Sequence, residues 1–121
     1  MTKAIGLAVL LLLGAGLDAA LACSVPFIRT FDNQTVTGTM TLKSGKRCSI
    51  RLRRSPGPIF TAEIVQRPAN GRVSVESGNR VMYVPRAGFT GRDSFTYARR
   101  GLDTGNRPIV RTVQVAVTVL P

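Results

Sequence analysis

Alternation of apolar and polar residues dominates the chain after its first 22 residues. Between residues 46 and 54, Cys48, Ile50 and Leu52 alternate with arginine and serine. A period of two is typical of a strand with one buried face and one wet face. The same pattern predicts a last strand over Ile109–Val119. Its inward residues are expected to be Ile109, Val113, Val115, Val117 and Val119.

Shorter runs with strand character fill the region between these two segments. Turn residues separate them at intervals of about 8–12 residues, and no amphipathic helical pattern follows residue 22. The sequence therefore predicts an all-β fold, an antiparallel β-sandwich of seven or eight strands in one domain over residues 23–121. The other predicted strands are Ser24–Thr30, Gln34–Leu42, Ile59–Gln66, Arg72–Glu76, Arg80–Val84 and Asp93–Arg99.

Two glycine-containing segments are predicted to be turns. Asn70 and Gly71 have the composition of a tight hairpin turn, in which φ is positive. Gly88 and Gly91 permit a sharp loop before the strand that begins at Asp93. The Asp93 carboxylate is expected to accept hydrogen bonds from backbone amides of that same loop, as in an Asx turn.

The first 22 residues have the features of a secretory signal peptide. Lys3 precedes an apolar, uncharged run over residues 5–17, and the small-x-small sequence Ala20-Leu21-Ala22 follows. This order predicts cleavage after Ala22 and a periplasmic or secreted protein. A retained membrane anchor is the alternative, but the apolar run is shorter than the roughly 20 residues that a spanning helix needs.

The chain has two cysteines, Cys23 and Cys48, and no histidine. An even number of cysteines in an exported protein favours a disulfide over two separate thiols. Cys23 would also be the first mature residue, where a bacterial lipoprotein carries its lipid. The leucine of Ala20-Leu21-Ala22 stands one position too late for that processing site, so lipidation is the less favoured use of Cys23.

The chain is strongly basic. Its 17 lysines and arginines, fourteen of them arginine, stand against 6 acidic residues and give a net charge of +11. Such a charge attracts polyanions, and arginine binds carboxylates and phosphates bidentately. Two clusters are therefore candidates for contact with an anionic polymer, although a solvated face that blocks edge-to-edge pairing is the favoured explanation. The candidate residues are Arg47, Arg51, Arg53 and Arg54 in the first cluster, and Arg99, Arg100 and Arg107 in the second.

Histidine, which many catalytic sites need, is missing from the sequence. Without histidine, neither a Ser-His-Asp nor a Cys-His arrangement can form. Asp93 and Asp103 could in principle work as an acid–base pair, but each is better explained as a loop residue. We therefore expect a protein without catalytic, metal-binding or cofactor-binding residues and without a small-molecule substrate.

A set of turn residues, aromatic residues and one aspartate recurs through the second half of the chain. It consists of Asn70, Gly71, Tyr83, Pro85, Gly88, Phe89, Gly91, Asp93, Phe95 and Tyr97. With this set, about the last 55 residues resemble the bacterial Ig-like and cadherin-like repeat families of secreted and cell-surface proteins, and the elements are specific only together. The resemblance implies an Ig-like sandwich, with Tyr97 placing its ring in the core and its hydroxyl at the rim.

The resemblance also suggests a class of function. Members of these families mostly occur as tandem copies in long adhesins, whereas this chain holds one copy. Cadherin-type relatives bind Ca²⁺ through clustered acidic residues, and the acidic residues here are scattered. The sequence thus predicts a structural or interaction module of the cell envelope, whose partner is a protein or an anionic envelope polymer. Nucleic acid fits less well, because neither a basic helix nor a set of stacking aromatics is present.

Overall fold

Two β-sheets, packed face to face, make up the described part of the chain. The structure, a computed structural model, describes residues 22–52, 61–77 and 79–121. Over these residues all regular structure is β-strand, and no helix long and apolar enough for a membrane crossing occurs. The all-β sandwich is confirmed. Its strands are β1 (Cys23–Ser24), β2 (Gln34–Lys43), β3 (Cys48–Arg51), β4 (Thr61–Gln66), β5 (Gly71–Glu76), β6 (Arg80–Pro85), β7 (Gly91–Leu102) and β8 (Pro108–Leu120).

The strand order brings the two ends of the domain together. One sheet has the order β1-β2-β8-β7-β4, and the other has the order β3-β6-β5. All pairs are antiparallel except β2 and β8, which run parallel from the Gln34–Arg111 pair to the Lys43–Leu120 pair. The prediction of a purely antiparallel sandwich is wrong for this pair. These strands are far apart in sequence, so no hairpin fixes their relative direction.

The core lies between the inner faces of the two sheets. Tyr83 from β6 and Phe95 from β7 are fully buried, and their rings stack with centroids 5.9 Å apart. The prediction for the inward face of β8 is confirmed, because the five residues expected to point inward are all buried. These residues are Ile109, Val113, Val115, Val117 and Val119.

The N-terminal segment lies across the sandwich largely without strand pairing. The predicted strand Ser24–Thr30 is wrong, since β1 pairs with β2 only at Cys23 and Ser24. Pro26 lacks the amide hydrogen that a longer ladder would need. Ile28 instead packs over Gly38, where an added Cβ would lie 2.5 Å from the Ile28 Cδ1 atom.

A disulfide joins Cys23 to Cys48, as the sequence predicted. Cys23 belongs to the edge strand β1 of one sheet, and Cys48 to the edge strand β3 of the other. The bond therefore connects the two sheets as well as the N-terminal segment to the strand that contains Ile50. Cys48 is buried, with 2% of its surface exposed, whereas Cys23 is exposed.

Most other predicted strands agree with the structure to within two residues, and β7 differs most. It extends to Leu102 and pairs with β8 along its whole length, so the polar loop between them shortens to residues 103–107. Gly88 and Gly91 have φ of 78° and 126°, which confirms the predicted loop before β7. The first residues of the predicted strand Ile59–Gln66 lie outside the described part of the chain.

The segment Pro68–Gly71 is a connection between sheets rather than the predicted tight hairpin. It joins β4 of one sheet to β5 of the other, and φ is not positive at either Asn70 or Gly71. Gly71 is needed there for a different reason. A Cβ at this position would lie 2.6 Å from the backbone oxygen of Val84 and 2.8 Å from the Tyr83 ring.

Replacing Gly71 with alanine is therefore expected to destabilise the domain. The new methyl group meets backbone on one side and a buried ring on the other, so the free energy of unfolding should fall by about 1–3 kcal/mol. Urea denaturation measures this change. Gly105→Ala is the matched control, because its Cβ would meet only a side-chain oxygen at 3.4 Å. Equal effects of the two substitutions would contradict the proposed role of Gly71.

Candidate functional site

The outer surface of the three-stranded sheet carries a concentration of arginine. In β3, Arg51 alternates with buried Ile50, and in β5 and β6 the exposed residues Arg72 and Arg80 alternate with buried valines. Arg47 is exposed immediately before β3. We call these four residues, Arg47, Arg51, Arg72 and Arg80, the basic face.

Strand pairing places two of these arginines side by side. Arg51 of β3 is directly opposite Arg80 of β6, and Glu76 of β5 is opposite Arg80 on its other side. Side chains in such pairs start about 5 Å apart, and like charges at that spacing repel. The Glu76 carboxylate also accepts a hydrogen bond from Ser74 Oγ at 2.8 Å. This arrangement leaves a net positive charge that an anion would neutralise.

The seven arginines singled out from the sequence do not all share this surface. Arg47 and Arg51 belong to the basic face, while Arg53 and Arg54 lie outside the described residues. Arg100 is in the other sheet, where its Nε donates to Glu63 Oε1 at 2.6 Å. Arg107 is exposed in the loop between β7 and β8. Arg99 is half-buried and lies on the inner face of β7.

Arg72 and Arg80 are the members of the basic face that sequence reasoning missed. Each alternates with valine in a predicted strand, which indicates an outward side chain. Their closeness to Arg51 depends on β6 pairing with β3, and two strands separated by β4 and β5 in sequence do not reveal that pairing. The alternation within each strand could have indicated that Arg72 and Arg80 point outward. It could not have indicated that they share a surface with Arg51.

The outer surface of the other sheet has a different character. Threonines follow one another along β2 and recur on β8, where they pair as Thr35–Thr112 and Thr41–Thr118. Lys43 and Arg92 contribute charge near one end of this surface. We call it the threonine face. Arg100 and Glu63, which form an ion pair, also lie on this outer surface.

Asp93 connects the two sheets at one end of the sandwich. Its carboxylate accepts hydrogen bonds from the backbone amides of Ala69 and Asn70, both at 3.1 Å, and from the amide of Ser94 at 2.9 Å. The Tyr83 hydroxyl also donates to Asp93 Oδ2 at 2.8 Å. The expected partners in the Gly88–Gly91 loop were wrong, because the connection from β4 to β5 lies closer.

The predicted core position of the Tyr97 ring is confirmed, and Tyr83 is a second tyrosine with a core ring, its hydroxyl hydrogen-bonded to Asp93. Tyr97 is almost fully buried, with 2% of its surface exposed. Burial raises the pKa of Tyr97 to about 12, against a smaller opposing influence of the Arg99 charge. Burial, then the hydrogen bond to Asp93, then the charge of that residue raise the pKa of Tyr83.

These tyrosines should make the domain lose stability in strong base. A tyrosine pKa that is higher in the folded state than in the unfolded state stabilises the fold fully below pH 10. That contribution disappears as pH rises from about 10 to about 12 for Tyr97. The free energy of unfolding should fall by up to about 1.4 kcal/mol per pH unit for each such group. In Tyr97→Phe the fall should be shallower, and identical slopes would contradict this assignment.

The described residues do not bring catalytic groups or metal ligands together. Asp93 lies near the start of β7 and Asp103 just beyond its end, so roughly 30 Å of extended strand separates them. The Asp103 Oδ1 atom accepts from the amides of Gly105 and Arg107 at 2.8 and 2.9 Å. The suggested acid–base pair is therefore wrong. Within the described ranges, no group of three His, Cys, Asp or Glu residues could hold a metal ion.

Comparison with known proteins agrees with this architecture. The family model described as bacterial Ig domain matches residues 26–116, which is most of the chain. The chain belongs to the bacterial Ig-domain family. Bacterial Ig domains are structural or interaction modules and are generally non-catalytic. No curated protein is significantly similar in sequence to this Ig domain.

Proposed function

We propose that this Ig domain is exported and works as a non-catalytic interaction module of the cell envelope. The family match over residues 26–116 supports the interaction module, and the signal-like sequence of the first 22 residues supports export. The inter-sheet disulfide also suits an oxidising compartment. The separation of Asp93 from Asp103 supports a binding role rather than a catalytic one.

Fractionation of cells that produce the full chain with a C-terminal epitope tests the export step. We expect a processed protein in the periplasmic or extracellular fraction, and an unprocessed form when Ala20 and Ala22 are both replaced by bulky residues. Cytoplasmic protein of full length would contradict export. A tagged periplasmic protein and a cytoplasmic enzyme serve as fractionation controls.

The basic face favours a second function, binding of an anionic envelope polymer. The specific observation is the Arg51–Arg80 pair, in which two cations face each other across neighbouring strands. A phosphate- or sulfate-bearing chain lying across β3, β6 and β5 would neutralise both arginines and reach Arg72. Lipopolysaccharide phosphates and acidic glycans have this chemistry.

Salt-dependent binding tests this second function. A short DNA duplex provides a polyanion of known charge density, for which log K falls with log salt at about −0.9 per phosphate contact. We expect Arg51→Gln/Arg72→Gln/Arg80→Gln to reduce the magnitude of the slope by up to about 2.7 and to weaken binding at least about tenfold. Lipopolysaccharide binding should weaken in parallel.

The matched control removes equal charge from other exposed positions, in the variant Arg67→Gln/Arg92→Gln/Arg107→Gln. It should reduce the slope much less than the basic-face variant. If both triple variants weaken binding equally, attraction depends on net charge alone and the basic face is not a site. Circular dichroism of both variants checks that each remains folded.

A further inference from the structure

A cleft of about 880 Å³ lies at the end of the sandwich where β7 ends and β8 begins. The N-terminal segment from Cys23 to Asp32 forms one wall, and residues of β3 form another. We call this space the end cleft. Its volume falls within the roughly 300–1,000 Å³ that is usual for sites of small ligands. It is separate from the basic face, except that Arg51 borders both.

The floor of the end cleft is apolar. Tyr97, Ile109, Ile50 and Leu52 line it, and each has 7% or less of its surface exposed. Two large apolar side chains that also line the cleft remain in contact with water, Phe27 at 72% and Leu102 at 36% exposure. Exposed apolar groups beside a concave apolar floor are a common feature of ligand sites.

Arginines surround this apolar floor. Arg99 of β7 and Arg111 of β8 are cross-strand partners, and both lie in phase with inward-facing residues, whereas Arg29 comes from the N-terminal segment. Arg111 lines the cleft with its side chain partly exposed, and its Nε donates to Asp32 Oδ1 at 2.7 Å.

The acidic residues of the cleft already have partners. Asp32 binds Arg111, and Asp103 accepts hydrogen bonds from two backbone amides of its own loop. Arg99 is half-buried, and this burial lowers the pKa of its guanidinium group, since a cation loses hydration there. Among the described residues of the lining, Arg29, Arg51, Arg99 and Arg111 thus outnumber the two carboxylates, which gives a net charge of +2 by residue type.

We propose that the end cleft binds an amphiphilic anion, a molecule with one phosphate or carboxylate head and an apolar body. The head would bind between Arg99 and Arg29, and the apolar body would cover Tyr97 and Ile109 below Phe27. A long polyanion does not fit this description, because the floor of the cleft is apolar. The excess of arginines over carboxylates favours an anionic head group, and the apolar lining favours an apolar body.

Isothermal titration of the oxidised protein with octyl phosphate, kept monomeric, tests the proposal. Inorganic phosphate supplies the head alone, and octyl glucoside supplies the apolar body alone. We expect octyl phosphate to bind at least about tenfold more tightly than either, because only it satisfies both parts of the site. Equal or tighter binding of inorganic phosphate or octyl glucoside would overturn the proposal.

Variants locate the binding in the cleft. Arg99→Gln should weaken octyl phosphate binding at least about tenfold, with partial rescue by Arg99→Lys, whereas Arg72→Gln on the basic face should change it less than about twofold. If Arg99→Gln does not fold, the double variant Arg29→Gln/Phe27→Ala replaces it, because both side chains are exposed and their loss should not unfold the domain. Unchanged octyl phosphate binding in that double variant would contradict the proposal.

Two further titrations identify the source of the head group and keep the two proposals apart. Phosphatidylglycerol vesicles should displace octyl phosphate if the natural ligand is a lipid, and a soluble phosphate or carboxylate ester is indicated if they do not. The vesicle experiment is interpreted only if octyl phosphate has first bound to the protein as expected. The variant Arg72→Gln/Arg80→Gln, which keeps Arg51, should weaken binding of the DNA duplex but not of octyl phosphate, so failure of the basic-face function would not affect the cleft.

Discussion

Replacing Asp93 with alanine should lower the free energy of unfolding by about 2–4 kcal/mol. One carboxylate accepts four hydrogen bonds, from the amides of Ala69, Asn70 and Ser94 and from the Tyr83 hydroxyl. Hydrogen bonds to a charged group contribute about 1.5–3 kcal/mol each, and water can replace some of them because Asp93 is half-buried. The remaining loss should exceed that of an ordinary surface substitution.

Urea denaturation of Asp93→Ala and Asp103→Ala measures this difference. Asp103 is the matched control, because it also accepts backbone hydrogen bonds but only within its own loop. A double-mutant cycle of Asp93→Ala with Tyr83→Phe should give a coupling energy of about 1 kcal/mol or more. An Asp93→Ala effect no larger than that of Asp103→Ala would show that the connection between sheets does not depend on this carboxylate.

Reduction of the Cys23–Cys48 disulfide should lower the free energy of unfolding by about 3.5 kcal/mol. The bond closes a loop with a sequence separation of 25, and the chain-entropy relation gives this magnitude for a loop of that length. In this fold the bond also joins the edge strands of opposite sheets, so its loss frees the N-terminal segment that forms one wall of the end cleft. Urea denaturation with and without a reductant measures the change.

Cys23→Ser provides the control for this measurement. Cys23 is exposed, so the substitution removes the bond without leaving a cavity in the core. Its stability should match that of the reduced wild-type protein and should not respond to reductant. A reduced protein as stable as the oxidised one would show that the bond contributes little to the fold.

The sequence predicted the strands well because period-two alternation depends only on which residues are buried. The buried valines of β8 and the run Cys48, Ile50, Leu52 show this directly. What could not be predicted is which strands become neighbours. The parallel pairing of β2 with β8 and the change of sheet at Pro68–Gly71 both result from contacts between segments distant in sequence.

The basic face and the end cleft likewise depend on which strands become neighbours, which the sequence does not reveal. The phase of β3 indicated that Arg51 points outward, but its neighbour Arg80 follows from the sheet order. Arg99 was predicted to belong to a cluster that contacts an anionic polymer, although its phase with Phe95 and Tyr97 could have indicated an inward side chain. Its partner Arg111 is also in phase with buried valines, and only the register of β7 and β8 brings the two together. The end cleft therefore could not be inferred from the sequence.

Mass spectrometry of the natively exported protein, without reduction, tests the central claim most directly. That claim is an exported Ig sandwich that begins at Cys23 and has its two sheets linked by a disulfide. The predicted mass corresponds to residues 23–121 with two hydrogens missing and no added lipid. A mass for residues 1–121, a lipid adduct on Cys23, or two free thiols would contradict it.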